Sequence, residues 1–92
     1  MQLWSVGIEA EGDRVVTREE VVELADAVAG YNGIATGIGT NRYGAQLVVQ
    51  ADSRDQAIQK AIGQFTEAAS RAGMPAFPIV RTEAVGEDED LT

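Results

Sequence analysis

The chain has 92 residues, 45% of them hydrophobic but only 5% aromatic, with no cysteine, no histidine and a formal net charge of −8. That length suits one domain able to bury roughly 60–70% of its unfolded surface, and the absent Cys and His exclude disulfides, thiolate metal sites and the commonest general base. The negative charge argues against tracking a phosphate backbone, which needs clustered Lys and Arg.

Four of the fifteen acids fall in Glu87-Asp88-Glu89-Asp90, so the body is only mildly acidic. No apolar run reaches membrane-spanning length. Met1-Gln2-Leu3-Trp4 lacks the basic flank and apolar stretch of a signal peptide, so a cytosolic protein is expected, with no membrane partner.

Leu3 to Glu11 alternates, with Trp4, Val6, Ile8 and Ala10 on one side and Leu3, Ser5, Gly7 and Glu9 on the other, the pattern of a half-buried strand. Gly12-Asp13 breaks it. Thr17 opens a helix, and Glu20 completes a Thr-x-x-Glu capping box. Val21, Leu24, Ala25 and Val28 form its inner stripe until Gly30 and Gly33 stop it. Ile34 to Thr40 reads as a second strand, with Ile34, Thr36 and Ile38 sharing a face and Gly37 and Gly39 signalling a bend or bulge. Asn41-Arg42-Tyr43-Gly44 reads as a tight hairpin connection, leading to a third strand over Ala45 to Ala51.

Ser53 to Ala72 is the longest helical pattern. Ile58, Ala61, Ile62, Phe65, Ala69 and Ala72 make one apolar stripe, Ser53 caps the first turn, and Gln56 is placed to reach back as the other half of a capping box. Gly73-Met74-Pro75 ends it. Ala76 to Val85 makes a fourth strand, which Pro78 confines to an edge or a bulge. From Gly86 onward the chain reads as a flexible acidic tail (86–92) behind a single domain (1–85).

The order β-α-β-β-α-β predicts an α+β sandwich with two interleaved right-handed crossovers, an antiparallel sheet of order 4-1-3-2 and both helices on one face. The ferredoxin-like fold is the home of that pattern.

Few residues can carry chemistry. Gly37-Ile38-Gly39-Thr40 begins like a dinucleotide loop but lacks a third glycine and enters a hairpin rather than a helix. Glu9, Glu11 and Asp13 cluster at a strand end, yet no turn converges their oxygens on a hard cation, so no metal is expected. Lys60 falls opposite the apolar stripe of its helix and not in a desolvated pocket, so no catalytic residue, cofactor or enzymatic activity is expected. Asp13-Arg14, between first strand and first helix, resembles in position the ligand-contacting loop of ACT-type regulatory domains. That resemblance implies a small-molecule sensor with Asp13 and Arg14 as its ligand loop; a plain polar loop into a capped helix is the simpler reading.

The uncovered sheet face is expected to show Leu3, Ser5, Gly7 and Glu9 beside Gln46, Val48 and Gln50, with Phe77, Ile79, Arg81 and Glu83 from the fourth strand. Single-stranded RNA readers of this shape carry two or three aromatics and basic residues there. With Phe77 alone and an acidic chain, no nucleic acid partner is expected. Leu3, Val48, Phe77 and Ile79 instead suit a protein contact, foremost a second copy of the chain, with the glycine-bearing second strand as an alternative joint.

Leu3-Trp4, Arg42-Tyr43-Gly44-Ala45, the Ala-rich run from Gln56 to Ala72 and Gly73-Met74-Pro75 together resemble small uncharacterised ferredoxin-like proteins of actinobacteria and their phages. The resemblance spans Leu3 to about Val85 and implies a fold but no activity and no functional residues. The expected function is therefore a non-catalytic protein-binding or self-assembling module, a homodimer through its open face. The alternatives are the ACT-like sensor and a small acidic phage-type inhibitor that binds a basic protein surface.

Overall fold

The computed structural model describes residues 2–37 and 40–86. Strand β1 (Gln2–Glu11) lies inside the sheet, antiparallel to β3 (Arg42–Ala51) on one side and to β4 (Ile79–Gly86) on the other. The short β2 (Ile34–Thr36) pairs antiparallel with β3, giving the order β2-β3-β1-β4. Helices α1 (Arg18–Ala29) and α2 (Arg54–Arg71) cover one face. This is the expected α+β ferredoxin-like sandwich.

The alternation in β1 decides which face is covered. Trp4, Val6, Ile8 and Ala10 are buried, as are Tyr43, Ala45, Leu47, Val49 and Ala51 opposite them on β3. Helix α2 lays Ala57, Ala61, Phe65, Ala68 and Ala69 on this layer. Four alanines let the helix approach the sheet closely, and the larger residues fill the remaining space: Phe65 stacks on Tyr43 at 5.7 Å, and the Trp4 indole N–H donates to the Ala51 carbonyl at 3.0 Å. A buried indole needs such a partner, because an orphaned N–H in the core is costly. Helix α1 contributes Val21, Leu24 and Val28, with Ala25 only half-buried.

The ends of the helices follow their cap chemistry. Thr17 Oγ1 accepts from the Glu20 amide at 3.2 Å, and the Glu20 carboxylate accepts from the Thr17 amide at 2.9 Å, which closes the predicted box. Ser53 Oγ accepts from the Gln56 amide, but the Gln56 side chain takes the amide of Asp52 rather than that of Ser53. At the far end of α2, Gly73 adopts φ +74°, the Gly73 amide reaches the Ser70 carbonyl and the Met74 amide the Ala69 carbonyl. Those two bonds and the buried Met74 make a Schellman stop.

Three boundaries differ from the sequence reading. Strand β3 begins at Arg42, so Tyr43 is a buried strand residue and not part of a tight turn. Strand β2 is three residues long and turns only Ala35 toward the core; Ile38 and Gly39 lie outside the described residues. Strand β4 starts after Pro78 and runs through Gly86, and the expected tail beyond it, 87–92, lies outside the described residues. Pro78 keeps its use as an acceptor, taking the Glu11 amide at 3.1 Å just ahead of this edge strand.

Candidate functional site

Among the described residues none covers the face of the sheet away from the helices, and its registers fix which residues meet there. Residues directly opposite one another on antiparallel strands share a face. One row across the sheet is therefore Val48, Ser5 and Val85; the next is Ile34, Gln46, Gly7 and Glu83; the next Thr36, Gly44, Glu9 and Arg81. Leu3 and Gln50 close one end, Glu11 and Arg42 the other.

The face is divided. At one end Leu3 (43% exposed), Val48 (40%) and Ile34 (69%) stand in solvent, with the half-buried Val85 across Ser5 from Val48. At the other end three carboxylates and two guanidiniums form an ion-pair network across three strands. Arg42 pairs with Glu11 at 2.9 Å and Glu9 at 3.7 Å, and Arg81 pairs with Glu9 at 3.8 Å and Glu83 at 3.3 Å. Between the two ends Gly7 leaves a shallow depression of about 250 Å³ rimmed by Gln46, Thr36, Arg81 and Glu83. A Cβ built on Gly7 would meet nothing within 4 Å. The Gln46 amide donates to Ser5 Oγ at 2.9 Å, which draws its side chain toward the next row. The Glu11 hydrogen bond pushes the Arg42 guanidinium further up its already high range.

Of the four expected contact residues, Leu3 and Val48 lie on this face and Phe77 and Ile79 do not. The β1–β4 register shifts between Glu9 and Ala10, so Ile79 comes opposite the buried Ala10. A strand has a period of two, and one extra residue exchanges its faces from that point on. Phe77 precedes the strand and packs against the core, its ring 5.8 Å from that of Tyr43 and over the α-carbon of Gly12. Phe77 and Ile79 instead line a separate apolar groove of about 260 Å³ with Tyr43, Phe65 and Met74, beside the end of α2. The Tyr43 hydroxyl donates to the Pro75 carbonyl there at 2.7 Å, and burial raises its pKa. Arg81 and Glu83 do reach the open face as expected. Ile34 and Val85 were missed as members of its apolar end, and only the strand registers reveal them.

The Asp13-Arg14 loop is occupied from within. Arg14 clamps the Glu20 carboxylate through both of its terminal nitrogens, at 2.9 and 2.5 Å, while the same carboxylate closes the α1 cap. Arg14 and the Thr17 amide hold the Glu20 carboxyl down at about 2. A guanidinium committed to the helix cap offers a small ligand little, so the sensor reading gains no support from this loop. Lys60 is exposed, and its ammonium donates to the Gln50 carbonyl at 3.2 Å. Among the described residues no group of three acids has the spacing of a metal site, Glu9 and Glu11 being turned to arginines instead. Among the described residues no helix is long and apolar enough to cross a membrane. No protein-family model, curated protein or solved structure matches the chain.

Proposed function

We propose that this chain is a non-catalytic self-assembling module of the cytosol, joined as a homodimer through its open sheet face. The observation that carries this reading is the division of that face into an apolar end and an ion-paired end with the Gly7 depression between them. Leu3, Val48, Ile34 and Val85 give this end of the face an apolar side chain on each of its four strands.

Symmetry selects the arrangement. Two sheets stacked face to face about a twofold axis have that axis in the plane between them. An axis across the strands would set Leu3 and Val48 on the ion pairs of the second copy. An axis along the strands, between β1 and β3, sets like end on like end. Leu3 then lies over Gln50 of the second copy, Val48 over its Ser5, Val85 toward its Ile34, Arg42 over its Glu11, and Gln46 over the depression at its Gly7. This is an aligned sandwich with the sheets about 10 Å apart. Strands of ten, ten, eight and three residues at ~3.3 Å per residue, ~4.8 Å apart, offer about 490 Å² per copy. Two such faces hide about 1,000 Å², the threshold of a specific interface.

Gly7→Val separates this contact from folding. The new side chain meets nothing in the protomer and suits a strand, so thermal stability of the protomer holds or rises. It fills the space under Gln46 of the second copy, and dimer dissociation measured by dilution should become at least about tenfold easier. An unchanged dissociation constant in a folded Gly7→Val protein would count against the face as the joint.

A further inference from the structure

Strand β4 is an outer strand of the sheet and much the longer of the two edges, eight residues against three in β2. An edge presents unpaired amides and carbonyls, which folded proteins guard with prolines, bulges or charges of one sign. Here Pro78 and the bulge opposite Glu9 and Ala10 guard only the start. Beyond them the register from Arg81 to Gly86 is regular.

Within that edge Val80-Arg81-Thr82-Glu83-Ala84 is a chemical palindrome: apolar, basic, threonine, acidic, apolar. We infer that β4 pairs antiparallel with β4 of a second copy, with Thr82 on the twofold axis. That register sets Arg81 opposite Glu83 of the second copy, twice over, and brings Val80, the extra residue of the bulge and 51% exposed in the single chain, toward its Ala84 at the end of the ladder. Arg81 and Glu83 stand on the same face of the strand, opposite Glu9 and Gly7, so the new charge pairs meet on one side of the ladder. Charges of one sign at these two positions would repel a second copy, whereas opposite signs placed symmetrically attract it. The edge thus selects another β4 in one register.

This joint uses the backbone edge of β4 and does not depend on the stacked faces, although its Arg81 and Glu83 side chains also lie on the open face. Its axis stands perpendicular to the sheet and does not meet the axis of the face contact, so occupying both joints extends a ribbon instead of closing a ring. A ladder of five residues is short beside a standard interface, so it fills at higher protein concentration than the face contact.

The chain has no cysteine, which allows a direct test. Opposed residues of an antiparallel pair have Cβ atoms about 4.5–5.5 Å apart, close to disulfide reach. Thr82→Cys, made in a Val48→Asp background to remove the stacked faces, should form a disulfide-linked dimer under mild oxidation. Adding Arg81→Glu places like charges opposite each other and should slow that reaction at least about tenfold. Adding Glu83→Arg to that protein restores opposite charges and should restore the rate. The inference is overturned if Thr82→Cys links no faster than Thr36→Cys on the β2 edge, or if the charge swap fails to rescue. Whether Val48→Asp itself dissociates the stacked dimer is read separately from molecular mass without oxidant, so failure of one joint is not mistaken for failure of the other.

Discussion

Gly12→Ala should destabilise the fold through one side chain, that of Phe77. A Cβ at Gly12 would fall among the ring carbons of Phe77, far inside van der Waals contact, which needs about 3.5–4.0 Å between carbons. The ring cannot retreat inward, because Tyr43 stands behind it at 5.8 Å and Phe65 stacks on Tyr43 in turn. It must swing outward, losing the aromatic pair, worth ~0.5–1.5 kcal/mol, and about 50 Å² of apolar burial at ~25 cal/mol per Å². Gly→Ala recovers ~0.5 kcal/mol from the unfolded chain. The net cost is about 1.5–2 kcal/mol, a fall of roughly 10 °C in melting temperature for a domain of this size. Urea titration followed by circular dichroism, at fixed protein concentration, reads it. The decisive comparison is the same substitution in a Phe77→Ala background, where the obstacle is gone and Gly12→Ala should be neutral or stabilising. Additive effects in that double-mutant cycle would refute the placement of Phe77 on Gly12.

Gly63 sits mid-way along α2, exposed and with open space around its α-carbon, so Gly63→Ala should stabilise by ~0.5–1 kcal/mol and raise the melting temperature by several degrees. A fall on thermal denaturation would show that the site is crowded after all. Glu20 titrates at about 2 in the folded chain against 4.5 for a free side chain, because Arg14 and the Thr17 amide favour its charged form. A depressed carboxyl contributes stability that is complete above the unfolded value and is lost as the pH falls from about 4.5 toward 2. Glu20→Gln keeps a capping side chain but not the charge pair. Its melting temperature should therefore decline less steeply across that window, and parallel declines would contradict the Arg14–Glu20 assignment.

The parts of the fold set by local chemistry were legible in the residues. The alternation of Trp4, Val6, Ile8 and Ala10, the Thr17-Glu20 box and the Gly73 stop each depend on neighbours in sequence, and the structure keeps them. What failed depended on pairing between distant segments. Asn41-Arg42-Tyr43-Gly44 has the composition of a turn, yet Tyr43 faces Ala10 across the β1–β3 ladder, and long-range pairing prevails over turn preference. Pro78 correctly marked an edge, but it could not show that an extra residue beside it would exchange the faces of β4. That single shift sends Phe77 and Ile79 to the α2 groove and leaves Arg81 and Glu83 on the open face. The charge network is legible only in part for the same reason: Glu9, Glu11, Arg42, Arg81 and Glu83 come from three strands, and only the registers bring them together.

Sedimentation equilibrium of the unaltered chain beside Val48→Asp, at low micromolar concentration where the β4 edges stay apart, tests the stacked dimer most directly. Val48 lies in the apolar end of the open face and is already 40% exposed in the protomer, so the aspartate costs the protomer little while placing an unpaired charge in the contact. The expected result is twice the 9.8 kDa chain mass for the unaltered protein and 9.8 kDa for a fully folded Val48→Asp. An unaltered chain that sediments at 9.8 kDa, or a Val48→Asp protein that keeps the double mass, would contradict self-assembly through this face.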